Sequence, residues 1–133
     1  MLMTGSRVVV VEDEPEMLDI MRVNLEQAGY DVVPAHDGVE ACQLLDAAPC
    51  DAIVLDLGLP GMSGFRLATL LRRDPDWKRI PVVVVTAYAF EEVEEIVDQG
   101  IQGFMTKPFD PSRLVSALER ALSRSRESQS WMV

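Results

Sequence analysis

The chain has 133 residues and a mass of 14.8 kDa, a size that accommodates one domain with a hydrophobic core and excludes two domains of ordinary size. Its formal net charge is −10, from 12 Lys and Arg residues against 22 Asp and Glu residues, which argues against direct binding of nucleic acid by this domain. The sequence has neither an apolar run of roughly 18 residues, the length that a membrane span needs, nor a signal-peptide pattern, so we expect no membrane association and a cytoplasmic location.

The first half of the chain alternates strand and helix patterns. A β-branched run at 7–11 predicts a buried strand. Pro15 suits the first turn of a helix, whose apolar residues recur on one face until Gly29 ends it. A weaker strand follows at 31–35, where Pro34 favours a position at the edge of a sheet, and a short helix comes after it.

The second half continues the same alternation. An apolar run at 52–55 has the length of a strand buried on both faces and ends in Asp56. Helices are predicted from Phe65 to about residue 73 and at 90–99, strands at 80–85 and 100–106, and a last helix from Pro111 to about residue 122. We therefore predict one α/β domain over 7–122 with a parallel sheet, a disordered N-terminus at 1–6, and a flexible tail or linker at 123–133.

Four of the predicted strands are followed by a polar side chain. These residues are Asp13, Asp56, Thr86 and Lys107. The carboxyl ends of parallel strands meet at one edge of a sheet, which is where open α/β sheets bind ligands. Asp also caps turns, and for Asp56 alone capping is an equally good interpretation. Capping alone does not explain four polar residues at one edge.

The acidic members of this group predict a metal site. Glu12, Asp13 and Asp56 would bring like charges within a few ångströms, which raises their proton affinity unless a cation neutralises them. Oxygen ligands of this kind suit Mg²⁺. Lys107 and Thr86 add an ammonium and a hydroxyl, which are the groups needed to hold a phosphoryl group in transfer. An Asp can be the nucleophile of such a reaction, and Asp56 at the end of the central strand is the candidate.

At this point the chain resembles the receiver domains of two-component response regulators, including the chemotaxis-regulator type. Four segments carry the resemblance: 11–15 (VEDEP), 55–64 (LDLGLPGMSG), 85–87 (VTA) and 103–109 (GFMTKPF). The resemblance covers residue 7 to about residue 122. It implies the flavodoxin-like fold, a doubly wound sheet of five parallel strands in the order 2-1-3-4-5 with five helices.

The resemblance also implies a role for each matching residue in phosphoryl binding. Asp56 corresponds to the phosphoacceptor, and Glu12 and Asp13 to the acidic pair that binds Mg²⁺, for which Mn²⁺ can substitute. Gly58 corresponds to the residue whose backbone carbonyl completes the protein's metal ligands. Glu12 stands where many members of the family have Asp, so its longer side chain is compatible with a water-bridged metal contact.

Two further residues, Thr86 and Phe104, correspond to the family's switch, and Lys107 corresponds to a catalytic lysine. Thr86 matches the hydroxyl that turns towards the phosphoryl oxygen, Lys107 the lysine that pairs with that oxygen, and Phe104 the aromatic whose rotamer follows the hydroxyl. Core packing alone explains Phe104 equally well when it is taken in isolation. The family also has a cis peptide at the position of Lys107–Pro108.

The implied partners are a histidine kinase or a histidine phosphotransfer protein upstream, and a protein target or a missing effector domain downstream. Whether the chain acts alone or belongs to a longer protein stays open. A weak homodimer through the fourth and fifth helices is less expected here, because Gln102 and Gly103 replace an Asp pair found in many dimerising members.

Other classes fit the sequence less well. A phosphatase with an Asp nucleophile has a second Asp two residues later, where this chain has Gly58, and it needs a cap domain. A flavin or dinucleotide carrier needs GxGxxG rather than the GxxGxxG found here. A degenerate receiver that serves only as a docking module is the remaining alternative, and the intact polar set argues against it.

Overall fold

A computed structural model describes residues 5–59 and 61–131, with the side chains of 126–131 excepted. Strands and helices alternate strictly along the chain. Their bounds are β1 (Arg7–Val11), α1 (Pro15–Gln27), β2 (Asp31–Ala35), α2 (Gly38–Ala47), β3 (Ala52–Leu55), α3 (Gly64–Arg73), β4 (Val82–Thr86), α4 (Phe90–Asp98), β5 (Gly103–Thr106) and α5 (Pro111–Trp131). Over these residues no helix is both long enough and apolar enough to cross a membrane.

The five strands form one parallel sheet in the order β2-β1-β3-β4-β5. This is the flavodoxin-like order that the sequence resemblance implies, and Pro34 lies in an edge strand as predicted. The register aligns Val11 with Leu55, and Leu55 with Val84, so the ends of β1, β3 and β4 lie side by side. The polar residues that follow these strands therefore come to one edge.

Helices cover both faces of the sheet, which is why its central strands are apolar throughout. Val8 and Val10 of β1 pack in the layer formed with α1 and α5, whereas Val9 and Val11 pack in the opposite layer with α2, α3 and α4. All four of these valines are at most 1% exposed. Alternate residues of one strand thus contribute to two separate cores, as the two-residue period of a strand requires.

Two strands begin later than the sequence pattern predicts. β4 starts at Val82 rather than at residue 80, because Pro81 has no N–H to donate to a neighbouring strand. β5 starts at Gly103 rather than at residue 100, because Gly100 has a positive φ of 104° and turns the chain out of α4. The side chain of Gln102 accepts a hydrogen bond from the Val82 N–H at 2.7 Å, which fixes the beginning of β4.

The structure also differs from the prediction at the two termini. Helix α5 continues to Trp131, through the segment predicted as a flexible tail. That segment contains no Gly or Pro, so nothing in it interrupts a helix once one has begun. At the other end, Gly5 N–H donates to the Gly29 carbonyl and Ser6 is buried, while residues 1–4 of the predicted disordered N-terminus lie outside the described residues.

Gly64, the first residue of α3, lets the loop after β3 pass close to the strand. Its N–H donates to the Leu57 carbonyl at 3.0 Å. A Cβ atom at this position would lie 2.3 Å from the Asp56 carbonyl oxygen and 2.3 Å from the Leu57 Cα atom, both of which are backbone atoms. Only glycine fits there, and the close approach fixes the backbone of Asp56.

Replacing Gly64 with Ala is expected to lower the free energy of unfolding by about 2–4 kcal/mol, because the new methyl group must push backbone atoms apart. Gly61→Ala is the matched control. Gly61 has a positive φ of 69° but no heavy atom within 4 Å of its Cβ position, so we expect a cost of only about 1 kcal/mol, from backbone strain. Urea unfolding followed by circular dichroism measures both values, and equal costs would contradict the steric argument.

Candidate functional site

The carboxyl ends of β1, β3, β4 and β5 bring together the polar residues predicted from the sequence. Glu12 N–H donates to the Ala35 carbonyl and Asp56 N–H donates to the Val11 carbonyl, so ladder-type hydrogen bonds extend to the first residues of the site. Lys107 N–H donates to the Thr86 carbonyl at 2.8 Å in the same way. The hydrogen bonding of the sheet therefore continues into the first residues of the site.

The carboxylate of Asp56 is almost completely buried, with 7% of the side chain exposed. Its Oδ1 atom accepts a hydrogen bond from the Gly58 N–H at 3.0 Å, and its Oδ2 atom accepts one from Lys107 Nζ at 3.0 Å. The Gly58 bond has the geometry of an Asx turn, so the capping role considered from the sequence is real. The hydrogen bond from Gly58 engages Oδ1 only, and Oδ2 faces the Lys107 ammonium.

Lys107 joins two carboxylates. Its Nζ atom lies 2.7 Å from Glu12 Oε1 as well as 3.0 Å from Asp56 Oδ2. Glu12 is fully buried, and its other carboxylate oxygen accepts the Glu14 N–H at 3.2 Å. Two buried anions with a single cation between them leave a net negative charge at the edge of the sheet. A further cation would therefore be stabilised there.

Glu12, Asp13 and Asp56 form a group suited to a metal ion. One carboxylate oxygen from each lies within 4.8 Å of the others, and Asp13 is exposed at the mouth of the group. Opposite ligands of Mg²⁺ are separated by about 4.2 Å, so a small movement or a bridging water brings these oxygens into its coordination shell. The donor set consists only of oxygen atoms, which is the chemistry that Mg²⁺ prefers.

Burial changes the protonation of the two groups that pair most closely. Burial, with a smaller contribution from the charge of Asp56, raises the pKa of Glu12; the hydrogen bonds from Lys107 and Glu14 and the charge of Lys107 lower it, and the net pKa is about 7. For Lys107, burial lowers the pKa, but hydrogen bonds to Glu12 and Asp56 outweigh this effect and the net shift is upward. The ammonium therefore stays charged, and Glu12 is the group that titrates.

The two predicted switch residues lie on β4 and β5 and contact residues other than the carboxylates. Thr86 is fully buried at the end of β4, and its hydroxyl accepts the Tyr88 N–H at 3.3 Å. Phe104 on β5 is half-buried, and its ring packs edge-on against Phe90, with centroids 5.9 Å apart. The Lys107–Pro108 peptide is cis, as the resemblance implies.

Several contacts near the site could not be found from the sequence, although the resemblance implies that Tyr88, two residues after Thr86, lies near the phosphoryl group. The rings of Phe65 and Tyr88 pack edge-on at 5.3 Å, and the Tyr88 ring lies close to Gly58. Phe90 was predicted only as the start of a helix. These contacts join residues from different elements, and no spacing along the chain encodes them.

Comparisons with known proteins agree with the geometry. The sequence profile of the response regulator receiver domain matches residues 8–119. The chain is 36% identical over 120 residues to the DNA-binding dual master transcriptional regulator RpaA of Synechocystis, covering 90% of this chain and 50% of that protein. It is 39% identical over 122 residues to the transcriptional regulatory protein TcrA of Mycobacterium tuberculosis, covering 91% of this chain and 47% of that protein.

Solved structures show the same similarity. The chemotaxis response regulator CheY4 of Vibrio cholerae superposes with a TM-score of 0.82 at 31% identity, covering 89% of this chain and 99% of that chain. The present chain spans about half the length of the two transcriptional regulators that it matches. The shared part is the domain that contains the acidic edge.

The raised pKa of Glu12 predicts how the stability of the metal-free protein depends on pH. Between the unfolded pKa of 4.5 and the folded value of about 7, the folded state holds a proton that the unfolded state has lost. The free energy of unfolding therefore falls as the pH rises through this window, by roughly 1–3 kcal/mol.

Urea unfolding in the presence of a chelator, from about pH 5 to about pH 8, tests this dependence. Glu12→Gln keeps a hydrogen-bond acceptor for Lys107 but cannot titrate, so its stability should change much less over the same range. Glu16→Gln, at an exposed position on α1, should behave as the parent protein does. An unchanged slope in Glu12→Gln would assign the pH dependence to another group.

Proposed function

Because this chain belongs to the response regulator receiver family, we propose that Asp56 accepts a phosphoryl group and that Lys107 and the acidic pair Glu12 and Asp13 assist the transfer. The family acts as a phosphoacceptor switch in phosphorelay signalling and is not a conventional enzyme. The observation that carries the proposal is the Lys107 ammonium, which contacts both Asp56 and Glu12 in a buried cluster.

The protein's own residues hold the nucleophile ready. Gly58 N–H and Lys107 Nζ each fix one oxygen of Asp56, so the carboxylate cannot rotate freely. In the reaction, an Asp56 oxygen bonds to phosphorus while the phosphorus–nitrogen bond of a phosphohistidine breaks and its electron pair remains on the imidazole. Lys107 then stands beside the charge that develops on the transferred group.

Glu12, Asp13, Asp56 and the carbonyl of Gly58 are the proposed Mg²⁺ ligands, and Mn²⁺ is expected to substitute. When bound, the metal supplies positive charge opposite the phosphoryl oxygens. Glu12 must give up its proton to take part, and its pKa in the metal-free protein is raised to about 7, so metal binding is expected to release a proton near neutral pH. The cluster of three carboxylates supports this assignment.

Thr86 and Phe104 are the proposed switch. A phosphoryl group on Asp56 offers oxygen atoms that a hydroxyl can donate to, and Thr86 can turn its hydroxyl away from the Tyr88 N–H to meet them. Phe104 follows into the vacated space, which alters its edge-on contact with Phe90 at the start of α4. The surface of α4 and β5 thereby reports the state of Asp56.

The proposed phosphoryl donor is a histidine kinase or a histidine phosphotransfer protein. The output is either a protein target or an effector domain, because the chain spans about half of its transcriptional relatives. Slow hydrolysis of its own aspartyl phosphate is the only further reaction that we propose. A purely docking, unphosphorylated receiver is the alternative, in which Lys107 would serve only to neutralise two buried carboxylates and would have no part in phosphoryl transfer.

Incubation with acetyl phosphate and Mg²⁺ should add one base-labile phosphoryl group to the protein, as measured by intact mass. Asp56→Asn removes the nucleophile and should abolish the adduct. Asp98→Asn, at an exposed position near the end of α4, is the matched control and should be phosphorylated normally. If no adduct forms although Mg²⁺ binding is demonstrated and hydrolysis is slow, the docking alternative is favoured.

Lys107→Met keeps the length of the side chain but removes its charge. We expect phosphorylation by acetyl phosphate to slow by about 100-fold or more, because the developing charge loses its nearest cation. We expect Mg²⁺ to raise the melting temperature of the parent protein and of this variant alike, since the three carboxylates remain in both. Lys78→Met, at an exposed position, should leave the rate unchanged. A normal rate in Lys107→Met would remove the lysine from the mechanism.

A further inference from the structure

A groove between α3 and α4 lies apart from the acidic edge and plays no part in the proposed reaction. It encloses about 490 Å³. Its lining consists of Phe65, Arg66, Thr69, Leu70 and Arg73 from α3, and of Glu92, Glu95, Ile96 and Gln99 from α4. The lining residues of each helix recur every three or four positions, so each helix offers a continuous edge of about two turns.

The two walls of the groove carry opposite charges. Arg66 and Arg73, seven residues apart on α3, form a basic wall, and Glu92 and Glu95 on α4 form an acidic wall. All four side chains are exposed. Within the part of the chain that the structure describes, none of the four takes part in an ion pair. Glu92 Oε1 accepts the Ala89 N–H at 3.2 Å and so helps to cap α4, whereas the charges of Arg66, Arg73 and Glu95 are available to a partner.

The floor of the groove is apolar. Leu70 is 37% exposed, between Arg66 and Arg73 along α3, and Phe65, which lies five residues before Leu70 and also lines the groove, is half-buried. Ile96 closes the floor from the α4 side and is 5% exposed. The groove therefore combines apolar residues with a basic side on α3 and an acidic side on α4, and its complement is an apolar stripe with one acidic and one basic flank.

We propose that this groove binds an amphipathic helix of a partner protein, whose apolar residues at i, i+3 or i+4, and i+7 sit on Phe65 and Leu70. One flank of the helix is acidic and faces the arginines, and the other is basic and faces the glutamates. Seven residues of helix rise about 10 Å, which matches the two turns that each wall presents. The acidic wall disfavours nucleic acid and small anions.

Helix α1 of a second copy is a poorer occupant. Its exposed apolar helix residues include Ile20 and Val23 on α1. The basic side chain beside them, Arg22, is already paired with Asp19 at 3.0 Å. Helix α1 therefore has no free basic flank for the acidic wall.

The first test uses a synthetic helical peptide with a leucine stripe, Glu on one flank and Lys on the other. A helix can lie in a groove in either direction, and reversal exchanges its flanks, so a peptide with the two flanks swapped is not a control. The matched control keeps the stripe and the composition but mixes Glu and Lys within each flank. At about 0.15 M salt we expect the segregated peptide to bind about threefold or more tightly, as measured by calorimetry.

Variants of the protein locate the binding. Leu70→Gln should weaken binding of the segregated peptide about fivefold or more, whereas Val39→Gln, at another exposed apolar helix position, should change it less than about twofold. Arg66→Glu with Arg73→Glu should abolish the preference for the segregated peptide. Arg113→Glu with Arg120→Glu makes the same change of charge at exposed positions on α5 and should retain the preference.

Two results would overturn the proposal. One is equal affinity for both peptides, or loss of affinity in Val39→Gln as large as in Leu70→Gln, because the binding would then not depend on the groove. The other is self-association in sedimentation equilibrium that Leu70→Gln abolishes, because the occupant would then be a second copy. Amide shifts in nuclear magnetic resonance spectra that map to α3 and α4 when the peptide is added would support it.

Discussion

The contact of one ammonium with two buried carboxylates is the interaction on which the site depends. Glu12 and Asp56 lie at the ends of neighbouring strands, where parallel pairing makes their proximity unavoidable. Lys107 comes from the end of a third strand and contacts both. Without it, two buried anions would face each other at a cost of several kcal/mol. The order of the strands brings the two carboxylates together, and the site is therefore stable only because the third strand supplies a positive charge.

The Lys107 ammonium neutralises only part of the negative charge of the carboxylates, and this favours the binding of a further cation. One ammonium against the carboxylates of Glu12, Asp56 and the nearby Asp13 leaves excess negative charge. Burial is the main cause of the raised pKa of Glu12, and the charge of Asp56 adds to it. A site in this state binds a divalent cation or a proton more readily than a balanced ion pair does. The edge of the sheet is thus less stable than it could be, as is common where a structure is arranged for chemistry.

Much of this arrangement was predictable from the sequence, because strands and strand ends have local signals. Buried runs such as 52–55 are bounded by polar residues, so the ends of the strand can be recognised in the sequence. Parallel topology then places Asp56 and Lys107 at one edge of the sheet. What could not be predicted depends on contacts between elements. The side chain of Gln102 completes the start of β4, and nothing near it in the chain signals this. The continuation of α5 to Trp131 was missed because a polar helix face and a polar tail have the same composition.

The groove and the acidic edge bind different kinds of ligand, but a chain of side-chain and backbone contacts connects them. Phe65 forms part of the groove floor, and its ring packs against Tyr88. The N–H of Tyr88 in turn donates to the hydroxyl of Thr86, the last residue of β4. Any coupling between occupancy of the groove and the state of Asp56 must pass equally in both directions, since linkage between two binding events is reciprocal. A partner helix that favours one position of Tyr88 is therefore itself favoured when Thr86 adopts the matching position.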